Sequence, residues 1–405
     1  MSLFATRQSQ GKRRFGIFLA VPLTAALFRP MSGFDTPETW PISAPTSSEP
    51  IRVIMLPPLP WQPERLRNRL GNGPDRDTLD RLFAKNGVEI VNIDPCRRPW
   101  NPFAGAHSLL QGLDPLRALR VLLFERDCDA IWACCESPSL ILLLLRRVLR
   151  FRKPVVAVDV GFDVGWRLRR WVMALLMPRL DGLITLANTH VDLARSRWRT
   201  TAKVVFIHQH VDTDFYSPAP FAPNGPVLAV GDDIGRDFPT LLKAVEGLDL
   251  DLVIRTRRAL PELPSHPRIK VMSDRLPWPD YRGLFEQARF VAIPLSASIH
   301  ASGVGSILEA MATGRALVVS NSPGIADYIE HEKTALVVPC GDAAAFRAAV
   351  ERLQQDDELC QRLGAAGRAF VERHCAYSVH ASRTATWLRQ LVAQHRQGFG
   401  DLTGG

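Results

Sequence analysis

Strand-like and helix-like runs alternate along this chain, stop at a proline-rich stretch, and begin again. Short apolar runs at 51–56, 88–94, 130–135, 154–160, 182–186 and 203–208 read as buried strands. Runs with helical spacing lie between them at 77–85, 115–126, 137–150, 166–177 and 190–198. Residues 217–226 (SPAPFAPNGP) then carry four prolines and no periodicity. Beyond them strands are expected at 227–231, 252–255, 269–272, 290–294 and 316–320. Helices are expected at 238–246, 279–288, 303–312, 343–354, 358–374 and 379–395. Strands that alternate with helices form parallel sheets covered on both faces. The expected class is therefore α/β, with two Rossmann-like doubly wound domains at 51–216 and 227–378 joined by a linker at 217–226. Residues 379–405 are expected to form a helix that packs back on the first domain, followed by a tail. The cleft between two such domains is the natural ligand site.

Composition excludes few alternatives beyond disorder. Of 405 residues, 46% are hydrophobic and 22% charged, an ordinary globular balance. Fifty basic residues against 41 acidic ones give a net charge of +9, which suits phosphates, nucleic acid or an anionic membrane without choosing among them. Seven cysteines show no C-x-x-C pair, which argues against a zinc ribbon or redox pair and for reduced thiols in the cytosol. No metal-ligand cluster is visible. Residues 1–50 stand apart: a basic start, the apolar run 15–28, and a Pro/Ser/Thr-rich tether at 31–50. The run is too short for a spanning helix, so a signal, an interfacial anchor and a misassigned start all remain open.

The segment 300–329 (HASGVGSILEAMATGRALVVSNSPGIADYI) points most directly to chemistry. A small-residue loop with Ser302 and Gly303 leads into a helix, and Ser302 is placed to cap it. Backbone N–H groups at that helix start, with the positive end of the helix dipole, suit a diphosphate. Glu309 follows about two turns later on the same face, where vicinal ribose hydroxyls are a carboxylate's natural partner. Thr313-Gly314 ends the helix, and Asn321 to Gly324 make a second tight turn at the same edge.

These residues resemble the donor-binding core of retaining GT-B glycosyltransferases, the large family 4 group. Glu309-Ala310-Met311-Ala312, Gly314 and the later Pro323-Gly324 carry the likeness. Residues 203–218 (KVVFIHQHVDTDFYSP), 227–245 (VLAVGDDIGRDFPTLLKAV), 280–295 (DYRGLFEQARFVAIPL) and 336–342 (LVVPCGD) agree with it in the family's order. The resemblance implies a transferase that uses a nucleotide-diphosphate sugar, UDP- or GDP-linked, as its donor, with no permanently bound cofactor and no metal at the diphosphate. It implies that Arg236 contacts the diphosphate, although an ion pair with Asp232 or Asp237 would also explain that residue. It gives Glu309 the ribose, and places Gly231, Leu276, Ser302 and Gly303 at the donor site, with Leu276 and Trp278 in the base loop.

Three departures stand out. The family's Gly-Arg pair reads Gly231-Asp232, which leaves Arg255 and Arg257 to compensate. The first glutamate of the Glu-x7-Glu pair is Ala301, with His300 beside it as a catalytic candidate; a subgroup with S-G-V in this loop keeps only the second glutamate. The strand after Lys153-Pro154 lacks the histidine many relatives carry near the transferred sugar, so Asp159 and Asp163 are the polar candidates. Residues 145–203 hold 13 Lys and Arg against 4 Asp and Glu, interleaved with Trp166, Trp171 and Trp198. That pattern suits an anionic membrane surface, and relatives often use lipid-linked acceptors. The expected enzyme works in the cytoplasm, peripheral to the inner face of the membrane, on a glycan or lipid-linked acceptor, with no nucleic acid. The rivals are an inactive nucleotide-sugar-binding protein and a GT-B epimerase or inverting transferase.

Overall fold

The computed structural model describes residues 49–57, 77–94, 114–146, 148–159, 167–197, 200–260 and 268–403. The expectations for residues 1–48, Asp163, Trp166 and Trp198 lie outside them. Among the described residues, twelve strands form two six-stranded sheets within one unit, Glu38–Gly405.

The first sheet holds β1 (Ile51–Leu56), β2 (Val88–Asn92), β3 (Ala130–Ala133), β4 (Val155–Asp159), β5 (Gly182–Thr185) and β6 (Lys203–Phe206), in the order β2-β1-β3-β4-β5-β6. Every pairing is parallel; Val53 pairs with Ala130 and Ile131 with Val155. The second sheet holds β7 (Val227–Val230), β8 (Leu252–Arg255), β9 (Ile269–Met272), β10 (Phe290–Ile293), β11 (Ala316–Ser320) and β12 (Leu336–Val338), in the order β12-β11-β10-β7-β8-β9. It too is parallel throughout. The expected α/β class with two doubly wound sheets is therefore observed. Strand β12 was not among the expected strands; three residues are too few to show a pattern.

The helices are α1 (Leu79–Lys85), α2 (Pro115–Phe124), α3 (Glu136–Leu145), α4 (Arg167–Leu176), α5 (Asn188–Arg197), α6 (Phe238–Val245), α7 (Trp278–Gln287), α8 (Val304–Ala312), α9 (Ala343–Gln355), α10 (Asp357–His374) and α11 (Tyr377–Thr403). The period-two rule shows in β1. Ile54 and Leu56 join the core under α2 and α3, while Ile51, Val53 and Met55 face the opposite core. That second core is closed by Ala385, Trp387, Leu388 and Leu391 of α11, so the last helix covers the first sheet. A Cβ on Gly182 would lie 2.6 Å from the Trp387 ring, so a glycine lets the helix come this close.

Buried guanidinium groups tie down the proline-rich stretch. Arg315 donates to the Pro220 and Glu286 carbonyls at 2.7 Å, and Arg289 to those of Pro223 and Gln354. Arg368 donates to the carbonyls of Thr213, Tyr216 and Ala312. Prolines lack the N–H for a ladder; their carbonyls are held from outside instead.

Candidate active site

The carboxyl ends of both sets of strands meet around a cavity of about 460 Å³. Its second-lobe wall is built on three turns that follow β7, β10 and β11. Gly231 leaves β7 with φ of 140°, and a Cβ there would sit 2.1 Å from Arg236 Nε. The loop can pass over the guanidinium only because that residue is glycine. Gly303 precedes α8 with φ of 83°. The turn at Asn321 to Gly324 packs so closely that a Cβ on Gly324 would meet the His300 carbonyl oxygen at 1.9 Å.

Arg236 is buried in this wall. Its Nε donates to Asp233 Oδ2 at 2.7 Å and its Nη2 to Ser306 Oγ at 2.9 Å. Its Nη1 is shielded from solvent and has no hydrogen-bond partner among the described residues. The ion-pair partner is therefore Asp233, neither Asp232 nor Asp237. Asp237 instead caps α6, accepting from Thr240 N. Asp232 binds Arg255 at 2.9 Å and Arg257 at 2.7 Å. Burial acts to raise its pKa, but the Arg257 N–H and both guanidinium groups outweigh that and hold it below the usual carboxylate range. Arg255 and Arg257 thus share one carboxylate rather than standing as two free cations.

Ser302 lines the cavity but does not cap α8. Gly303 occupies the N-cap position, no side chain accepts there, and Ser302 N donates to the His300 carbonyl at 2.7 Å. The left-handed glycine turns the preceding residue away from the helix axis; Val304 N donates to the Ala301 carbonyl at 3.3 Å, and Gly305 and Ser306 follow it on the cavity wall.

Glu309 projects from α8 between two tyrosines. Tyr216 Oη donates to its Oε1 at 3.1 Å and Tyr281 Oη to its Oε2 at 3.2 Å. Burial pushes its pKa up to about 7; the two phenols, Arg236 and Arg255 offset only part of that. Glu309, Tyr281 and Arg255 also line a second cavity of about 480 Å³, completed by Arg275, Leu276, Pro277 and Trp278.

The first-lobe wall contains Asp159, Leu186, His190 and Gln209. Asp159 ends β4 and is buried; His190 Nδ1 lies 2.7 Å from its Oδ2. The His190 ring meets the His300 ring edge-on, centroids 4.9 Å apart. Other cross-lobe contacts surround this point. Asn188 donates from its backbone N and from Nδ2 to Asp327 at 2.8 and 2.7 Å. Thr189 Oγ1 donates to the Ile299 carbonyl at 3.0 Å, and Tyr328 Oη to the Leu186 carbonyl at 2.7 Å.

The structure thus gathers Gly231, Arg236, His300, Ser302, Gly303 and Glu309 around one cavity, with Leu276 in the adjoining one. Sequence reasoning missed Asp233, Ser306, Tyr216, Tyr281 and His190. Tyr216 and Tyr281 stood inside the recognised segments without a role. Asp233, three residues before Arg236, carried a spacing signal. His190 carried none.

Comparison with known proteins bears on the fold and the class of enzyme. Residues 233–356 match a family model described as glycosyl transferases group 1. A GDP-mannose-dependent alpha-(1-6)-phosphatidylinositol monomannoside mannosyltransferase of Mycobacterium tuberculosis is 26% identical over 307 residues, covering 67% of this chain and 78% of the relative. Its namesake from Mycolicibacterium smegmatis is 24% identical over 346 residues, covering 77% and 87%. Among solved structures, a sucrose-phosphate synthase of Thermosynechococcus elongatus superposes with a TM-score of 0.63 at 15% identity, over 85% of this chain and all of that one. Anabaena HepE in complex with UDP and glucose superposes at 0.60 and 15% identity, over 84% and 99%. The two structures establish the GT-B arrangement; the matched domain and the mannosyltransferase relatives make the chain a glycosyltransferase.

Proposed function

We propose that this glycosyltransferase moves a hexosyl group from a nucleotide-diphosphate sugar to a hydroxyl of a lipid-linked or polysaccharide glycan, with retention of anomeric configuration. GDP-mannose is the first donor to test, because the mannosyltransferase relatives are named for it; UDP-glucose comes second, after the HepE complexes. The observation that carries the reading is Arg236: a buried guanidinium with one N–H face unpartnered, beside the first turn of α8. A leaving diphosphate supplies the missing acceptor.

Breaking the glycosidic bond develops negative charge on that diphosphate. Arg236 and the first-turn N–H groups are fixed before the reaction, so they stabilise the charge without reorganising. Glu309 keeps lone pairs beyond those its tyrosines use and accepts from the ribose hydroxyls, which sets the position of the anomeric carbon. Retention rests on the family 4 resemblance, with the acceptor attacking from the face that the diphosphate leaves.

A peripheral membrane contact fits the outer face of the first lobe. Leu116, Leu123 and Phe124 of α2, Leu144 of α3, Val148, and Trp171 and Leu175 of α4 are exposed on neighbouring helices. They lie in and beside the basic region 145–203. Apolar and cationic side chains together suit an anionic lipid surface, where a lipid-linked acceptor would wait. No helix among the described residues is long and apolar enough to cross a membrane.

The test is a transfer assay with GDP-mannose and UDP-glucose against extracted anionic glycolipids, with the product's anomeric configuration read by NMR. A product with the donor's configuration is the expected result. Inversion would remove the retaining mechanism, and donor binding without transfer would favour the inactive binding protein.

A further inference from the structure

The geometry points to His190 as the first lobe's contact with the sugar being transferred, held in place by Asp159; this rests on the donor-site reading above. His190 is 2% exposed and lines the cavity opposite Arg236 and Ser306. Its Nδ1 lies 2.7 Å from Asp159 Oδ2, in close contact though bent away from an ideal hydrogen bond. Its Nε2 is shielded from solvent and has no hydrogen-bond partner among the described residues. Buried imidazole nitrogens are ordinarily satisfied, and one that is not, on a cavity wall, marks a place for a ligand group.

The supporting contacts concern position. His190 sits in the first turn of α5, and the two residues before it are fastened to the second lobe. Asn188 binds Asp327, and Thr189 binds the Ile299 carbonyl. The His300 ring packs edge-on against His190, from the loop that leads to α8. A residue of the first lobe is thus set beside the diphosphate wall by contacts with that wall's own loops. A packing histidine would not require this anchorage, nor a buried carboxylate at its other nitrogen.

The carboxylate also fixes what the ring offers. Asp159 Oδ2 beside Nδ1 favours the tautomer with its proton on Nδ1, which leaves the lone pair of Nε2 for a ligand. The matching ligand group is a hydroxyl, and the diphosphate wall places the donor's sugar within reach. His190 accepts a hydrogen bond from a sugar hydroxyl. In the transfer itself the acceptor oxygen bonds to the anomeric carbon, the bond from that carbon to the diphosphate oxygen breaks, and the acceptor's proton passes to the departing diphosphate. This assignment supplies from a helix the imidazole that β4 lacks at its end.

The test is calorimetric titration of wild type, His190→Ala, His190→Gln and Asp159→Asn with GDP, GDP-mannose, UDP and UDP-glucose, with melting temperatures and turnover on the same samples. In His190→Ala, affinity for the bare nucleotide is expected to stay within twofold. Affinity for the sugar nucleotide is expected to drop at least tenfold relative to it, and kcat at least tenfold. His190→Gln keeps an acceptor near Nε2 and should recover part of both losses; Asp159→Asn should show a smaller loss of the same kind. An unchanged ratio between sugar nucleotide and nucleotide overturns the proposal. So does an equal fall in both affinities with a lowered melting temperature, which is the mark of a structural role. If the wild type binds no nucleoside diphosphate at all, the donor-site reading fails and takes this proposal with it.

Discussion

The two walls of the cavity are built by different means. The second-lobe wall is made of backbone turns, two left-handed glycines and a buried guanidinium paired with Asp233, all within the continuous stretch from Gly231 to Gly324. The first-lobe wall consists of side chains from separate elements, Asp159, His190 and Gln209, placed by topology and by contacts across the cleft. A wall made of local turns leaves its mark in sequence, because glycine, proline and a capping aspartate must occupy set positions. A wall made of distant side chains leaves almost none. On the proposed reading the legible wall takes the diphosphate, common to all nucleotide-diphosphate sugars, while the sugar and acceptor that vary fall to the other wall.

The sharpest way to break this comparison is to remove the cation of the second-lobe wall. Arg236→Ala should cost about 3 kcal/mol of donor binding, a loss on the order of 100-fold by calorimetry. Next comes the backbone that makes room for it. Gly231→Ala would force a Cβ to 2.1 Å from Arg236 Nε at a φ of 140°, and should lower donor affinity roughly tenfold. The melting temperature should drop as well. A Gly231→Ala protein with wild-type affinity would mean that the guanidinium is not what holds the diphosphate.

Glu309→Gln should weaken nucleotide binding roughly tenfold, since a neutral amide is the poorer acceptor for ribose hydroxyls. It also carries a pH signature. The native pKa of about 7 lies above the unfolded value of 4.5, so the folded chain binds more protons between those values. Stability contributed here falls as pH rises through that window. The glutamine variant should therefore melt higher than wild type at pH 8 and not at pH 5.

The buried histidines His208 and His380 should respond with the opposite sign. Burial holds His208 at about 3 and His380 at about 4, against 6.5 in an unfolded chain. The His208 Nε2 contacts the Asp327 carbonyl, and His380 Nδ1 contacts the His208 carbonyl. These neutral rings favour the folded state above pH 6.5, and that stability is lost as pH falls toward the folded values. His380→Gln should give a shallower fall in melting temperature between pH 7 and 5. The smallest effect is expected at the periphery. Trp171→Asp should reduce flotation with vesicles of about 30% anionic lipid severalfold and leave affinity for the nucleotide sugar unmoved.

Legibility followed the same division. The strands of both sheets were visible as apolar runs, and the helices by their spacing, because both periods are local. Strand β12 was lost through its shortness, and α11 runs beyond the expected end at residue 395 to Thr403. Glu309 was legible from its spacing of about two helical turns after Ser302, and Arg236 only through the family resemblance of its segment. The tyrosines that hold Glu309 were not, since Tyr216 reaches it across 93 residues of sequence and Tyr281 across 28. Asp159, His190 and His300 belong to three separate elements, and no spacing rule joins them.

The most direct measurement is a crystal structure of the protein with GDP or UDP bound. The account expects diphosphate oxygens about 3 Å from Arg236 Nη1 and from N–H groups in the first turn of α8, with the ribose hydroxyls on Glu309. A nucleotide seated elsewhere, or one whose phosphates face away from Arg236, would contradict it.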